Sequence, residues 1–161
     1  MNLDKLFKLQ NTLDERIIKE HNLHGQSLCS KKILALQVEV SELANETRCF
    51  KFWSTKEPSP KEVILEEYVD CLHFILSLGL EWNYCDIKLN CKNYNSELTE
   101  KFNNIYIDIN DFIVCPSKDN YKTLFEDFFC LGHDLEFTYE EIEKAYLDKN
   151  AINHERQDNG Y

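Results

Sequence analysis

Residues 38–53 read VEVSELANETRCFKFW, and the placement of their three glutamates decides the fold. At 100° per residue, Glu39, Glu42 and Glu46 fall within about 60° of one another on a helix. Like charges so placed repel by roughly a few tenths of a kcal/mol per pair on an exposed surface. Apolar residues surround them (Ile33, Leu34, Leu36, Val38, Leu43), so the helix, expected from about Lys31 to Phe50, carries its acids near the apolar face. Ser27 or Ser30 offers the N-cap.

Working outward, residues 59–62 (SPKE) announce the next helix. Ser59 is placed to cap, Pro60 to take the first helical position and Glu62 to complete a capping box, and the helix then runs to about Leu80. Within it EEYVDCLH repeats the acidic spacing, with Glu67 and Asp70 at i, i+3 and Glu66 and His73 close by. The loop KFWSTKEPSP between the two helices is long enough for them to lie antiparallel, which would bring the acidic faces together. Upstream, residues 3–20 give an amphipathic helix with Leu3, Leu6, Leu13 and Ile17 in one stripe, interrupted by Gln10. Downstream, IYIDINDFIV fits either strand-like alternation or a short buried helix and is taken as helix, a further helix fills 118–131 before Gly132, and Thr138 with Glu141 forms a capping box that starts a helix reaching at least Lys149. From about residue 150 a polar tail is expected. The whole, residues 1–161, reads as one all-α domain, a helical bundle around two antiparallel acidic helices.

Composition sets the exclusions. With 43% hydrophobic and 29% charged residues, four Gly and three Pro, the chain resembles a globular helical protein. A net charge of −11 lacks the basic stripe that a nucleic-acid surface needs, so no nucleic-acid partner is expected, and it suits metal cations. The run CLHFILSLGL is too short to span a bilayer, and MNLDKLFKLQ lacks the features of a signal peptide, so no membrane partner and a cytoplasmic location are expected. Seven scattered cysteines without a C-x-x-C pair read as reduced, mostly buried thiols.

Four carboxylates set among apolar residues on two facing helices are costly to bury unpaired, and divalent cations offset that cost. Oxygen-only ligation points to Mg²⁺, with Mn²⁺ as a substitute. Two other readings stay open on spacing alone. The acids could simply form solvated helix faces, or they could belong to a carboxylate-bound di-iron bundle, which pairs Glu with E-x-x-H motifs. Against the second, only Asp70-x-x-His73 has that form, and His73 alone could equally be a core histidine.

The blocks ALQVEVSELANETRCFKFWS, EEYVDCLHFILSLGLE and YLDKNAINHERQDNGY, together with LQNTLDERI, resemble the all-α dimeric deoxyuridine triphosphatases, within the wider MazG-like all-α nucleoside triphosphate pyrophosphatases. The resemblance implies a homodimer that hydrolyses dUTP and dUDP to dUMP, with Glu39, Glu42, Glu67 and Asp70 as Mg²⁺ ligands and Glu39 polarising the attacking water. Attack at the β-phosphorus, in a single step, is implied as well. It further implies a uracil edge read by Gln10, Trp53 and Asn153, a deoxyribose pocket of His73 and Phe74, phosphate contacts from Lys149 and Arg156, and Tyr161 closing over substrate. The tail from about 150 to 161 would then order around nucleotide. Leu13 departs from relatives that carry a polar residue there, which leaves Gln10 alone on the first helix. A pyrophosphatase of another nucleotide such as dCTP, and a non-catalytic metal-binding or interaction bundle, are the competing functions.

Overall fold

The computed structural model describes residues 2–90 and 96–160. Six helices follow in chain order: α1 (Leu3–Glu20), α2 (Cys29–Thr47), α3 (Lys61–Glu81), α4 (Leu98–Val114), α5 (Lys118–Asp134) and α6 (Tyr139–Asp158), with no strand among the described residues. The all-α expectation holds, and among the described residues no helix is long and apolar enough to cross a membrane.

α3 is the central element because it is apolar nearly all round, burying Tyr68, Leu72, Ile75, Leu76 and Leu78 completely or almost so. α2 lies antiparallel to it: Lys32 pairs with Glu81 at one end, Glu39 meets Asp70 in the middle, and Glu46 bonds Ser59 at the other. α1 and α6 run parallel to α3, as shown by Gln10 against His73, Ser77 against Asp14 and Lys149 against Asp70. α4 and α5 form a separate antiparallel hairpin that closes the core with Phe112, Tyr121, Phe125 and Phe128.

The helix ends show where local reading needed tertiary context. Ser59 does not cap α3: its hydroxyl donates to the Glu46 carboxylate and its backbone N–H to the Glu46 carbonyl at 3.0 Å, so Pro60 stands at the cap without a side-chain bond. Glu46, third of the acids on α2, is thereby engaged in closing the α2–α3 loop. α2 starts at Cys29 behind a buried Leu28, with neither serine capping, and ends at Thr47 because Arg48 turns into the left-handed region at φ 58°. The Thr138/Glu141 capping box is formed as read. α5 runs on through Gly132 to Asp134. The expected polar tail is instead the last turns of α6, braced by Arg16, whose guanidinium bonds the His154 carbonyl at 2.9 Å and pairs with Asp158. Among the cysteines, Cys29, Cys49, Cys71, Cys85 and Cys115 are free thiols, of which only Cys71 is fully buried, while Cys130 is disulfide-bonded, against the expectation of reduced and mostly buried thiols. Spacing along the chain does not say which thiols a fold brings together.

Buried tyrosines tie the helices to one another. Tyr121 donates to the Ile75 carbonyl at 2.9 Å and Tyr68 to the Phe128 carbonyl at 3.3 Å. The Tyr121 hydroxyl lies over Gly79, where an added Cβ would collide with it and come within 3.0 Å of Phe7. Gly79→Ala should therefore lower stability by about 2–3 kcal/mol through overpacking, read as a shift of the urea midpoint without a change in slope.

Candidate active site

The α2–α3 pairing delivers the acidic faces to each other. One carboxylate oxygen from each of Glu39, Glu67 and Asp70 lies within 4.8 Å of the others. Glu42 stands outside this trio, one turn along α2, but its charge reaches Glu39 and Glu67. Burial, reinforced by Asp70, Glu42 and Glu67, pushes the Glu39 carboxyl up from its ordinary 4.5 to about 7, while Lys149 works the other way. Burial also raises Glu67 and Asp70, the latter against the pull of a hydrogen bond from Lys149. Three acids that resist ionising at one point, with only oxygen to offer, fit a hard divalent cation such as Mg²⁺ or Mn²⁺.

A protein cation already leans on that point. Lys149, on α6 and 9% exposed, places Nζ 2.7 Å from Asp70 Oδ2 and 2.9 Å from Glu66 Oε1. Burial disfavours its ammonium, but the bonds to Asp70 and Glu66 outweigh this and raise its pKa.

A consequence follows for pH. Because the folded-state pKa of Glu39 is raised, the folded chain keeps a proton that the unfolded chain releases between pH 4.5 and about 7. In a chelator, stability should be greatest below that interval and fall by about 2 kcal/mol as pH rises through it, solvent screening included. Added Mg²⁺ should reverse the trend, since ligands bind a cation only when deprotonated. Thermal melts from pH 5 to pH 8, with EDTA or with Mg²⁺, check both halves.

Glu39 and Asp70 of the trio line a cleft of about 450 Å³ between α1, α2, α3 and α6. Of the residues expected in the site, Gln10, Glu39, Asp70, His73, Phe74, Asn153 and Arg156 line this cleft together. Arg156 Nη1 donates to Asn153 Oδ1 at 3.3 Å, so the two sit on one face of α6 as their spacing required. His73 is 6% exposed, and burial, with the charge of Lys149, drives its pKa down to about 3, so the imidazole is neutral.

A family model described as dUTPase matches residues 2–161. The chain belongs to the dUTPase family. No curated protein matches it. For a member of this family the cleft explains why an apolar wall of Leu13, Ile17 and Leu28 stands beside a carboxylate cluster: it suits a flat base at one end and a charged group at the other.

Four of the described residues expected in the site do not line the cleft. Trp53 is 65% exposed on the α2–α3 loop, where it makes edge contacts with Phe50 at 6.0 Å and Phe52 at 5.0 Å. Arg48 holds that loop through the Ser54 hydroxyl and the Lys56 carbonyl, and Trp53 is not among the residues that line the cleft with Gln10 and Asn153. Glu42, Glu67 and Lys149 likewise do not line the cleft, although Glu67 and Lys149 meet Asp70 at the carboxylate cluster. Tyr161 lies outside the described residues. Conversely, the cleft contains Asp14, Lys32 and Ser77, which the sequence reading did not single out. The signal for Asp14 and Ser77 was available in the spacing, since Gln10/Asp14 and His73/Ser77 are both i, i+4 pairs on faces that also carry core residues.

Proposed function

We propose that this chain is a Mg²⁺-dependent hydrolase of dUTP, and of dUDP, that yields dUMP with pyrophosphate or phosphate, and so limits uracil entry into DNA while supplying dUMP. Membership of the dUTPase family supports the substrate class. The observation that carries the reading is that Glu39 and Asp70, which cluster with Glu67, line an apolar cleft whose wall bears Gln10 and His73. A divalent cation held by the trio, with Glu42 at its edge, supplies phosphate neutralisation and a more acidic water. Glu39, which stands in the trio and lines the cleft, is the carboxylate placed to polarise the attacking water. Lys149 exchanges its bonds to Asp70 and Glu66 for phosphate oxygens, and Arg156 adds a forked donor from the same helix. Phe74 fills the sugar end, and Asn153 offers a donor and an acceptor to the base.

The chain acts as a homodimer in this reading. Leu34 and Val38 on α2 are 61% and 46% exposed, and Ile107 on α4 is 55% exposed, flanking the seam where the Tyr106 hydroxyl meets Ser41. A second copy covering both helices would bury that stripe, and sedimentation at micromolar concentration should give the mass of two chains.

The function is tested by pyrophosphate release from dUTP, dCTP, dTTP, UTP and ITP, with Mg²⁺ and with a chelator. Metal-dependent turnover confined to dUTP is expected. Preference for another nucleotide would overturn the base assignment, and absence of turnover would favour a non-catalytic bundle.

A further inference from the structure

The cleft wall built by α1, α3 and α6 carries a hydrogen-bond network whose direction can be traced from one end. Asp14 Oδ2 lies 3.6 Å from Lys32 Nζ and accepts from the Ser77 hydroxyl. A carboxylate beside an ammonium accepts and does not donate. The Gln10 atom 2.7 Å from Asp14 Oδ1 is therefore its amide nitrogen. Gln10 Oε1 then faces the other way, where it accepts from the Tyr146 hydroxyl at 2.9 Å and from His73 Nδ1 at 2.7 Å. His73 must carry its proton on Nδ1, which leaves a lone pair on Nε2. That nitrogen is buried and meets no partner among the described residues, on a side chain that lines the cleft. The Tyr146 ring lies flat against the imidazole at 4.2 Å and 19°, which holds the ring in its plane.

We propose that Asp14 and Tyr146 are positioning residues that fix the polarity of this wall, making His73 Nε2 an acceptor and leaving the second Gln10 N–H as a donor for the ligand. Neither needs to touch the ligand, since both act through Gln10 and His73. The proposal rests on the reading that the cleft holds a nucleotide. The base that suits the pair carries a ring N–H beside a carbonyl, as the imide edge of uracil does. Cytosine presents a lone pair in place of that N–H, so His73 Nε2 would face a second acceptor and both would be left unpaired.

The test is the His73 tautomer, read by NMR of ¹⁵N-histidine-labelled protein without ligand, together with the ratio of kcat/KM for dUTP over dCTP. The wild type is expected to show a protonated Nδ1 and an unprotonated Nε2. Asp14→Asn can donate to Gln10 and let its amide turn over, so the Nε2–H tautomer should appear and the dUTP preference fall about tenfold, with KM moving more than kcat. Tyr146→Phe keeps the stacked ring and removes one donor, and should give the same loss in smaller measure. An Nε2–H tautomer in the wild type overturns the proposal without any variant, which keeps it testable if Asp14→Asn does not fold. Unchanged tautomer and unchanged preference in both variants also overturn it. A wild type that shows the Nδ1–H tautomer but turns over no nucleotide overturns the nucleotide reading and leaves the positioning network standing.

Discussion

Glu39→Gln is expected to lower dUTP turnover by about 10²–10⁴-fold while producing a folded protein that, in chelator at pH 8, is more stable than the wild type. Both effects follow from removing one ionisable carboxylate, and the stability effect from its raised pKa in the metal-free chain. Glu39 is the member of the trio pushed furthest, to about 7, by burial and by its neighbours Asp70, Glu42 and Glu67. Glutamine keeps the shape and one oxygen ligand but carries no charge and cannot accept a proton. Removing the charge relieves the mutual repulsion, so the fall in stability with pH described above should flatten. Turnover assays and thermal melts on the same preparation separate the outcomes. Wild-type turnover would refute the role of Glu39, whereas loss of both activity and stability would mean that the side chain serves packing.

Lys149→Met is expected to destabilise the protein in chelator by about 2–4 kcal/mol at pH 8. Its ammonium is the cation that touches Asp70, at 2.7 Å, and methionine fills the same space without charge. Asp70, already raised by burial, would then keep its proton to higher pH. The sign follows: the folded variant binds more protons than the unfolded chain, so the loss is small near pH 5 and grows as pH rises. A divalent cation should rescue the variant, giving a larger thermal shift with Mn²⁺ than the wild type shows, because no ammonium competes at Asp70. Turnover should still fall about 10–100-fold, since a phosphate contact is lost. A variant as stable as the wild type in EDTA at pH 8 would show that the Lys149 bridge contributes nothing.

The order of helices, the acidic faces and the α6 residues were legible because each is a matter of local period. Glu39, Glu67 and Asp70 could be placed on facing helices from i, i+3 spacing, and Asn153 with Arg156 on one face of α6. Ser59 was misread because a serine before proline satisfies the local rule for a cap, while its hydroxyl has a better acceptor in Glu46, thirteen positions earlier in sequence but adjacent in space. Trp53 was assigned to the base by resemblance, and the path of its loop depends on Arg48, whose left-handed backbone turn no propensity foretells.

Sequence alone established that this protein is helical and that two acidic pairs belong to successive helices, since hydrophobic period and charge spacing are properties of neighbours along the chain, but not that Leu34 and Val38 stay exposed. The tertiary structure alone decided which acids form the trio and that Glu46 is spent on a loop. It also decided that Lys149 stands in as a counter-ion and that Asp14, Gln10, His73 and Tyr146 form one network. Those are contacts between helices far apart in sequence, and their geometry exists only once apolar burial has brought α1, α2, α3 and α6 together.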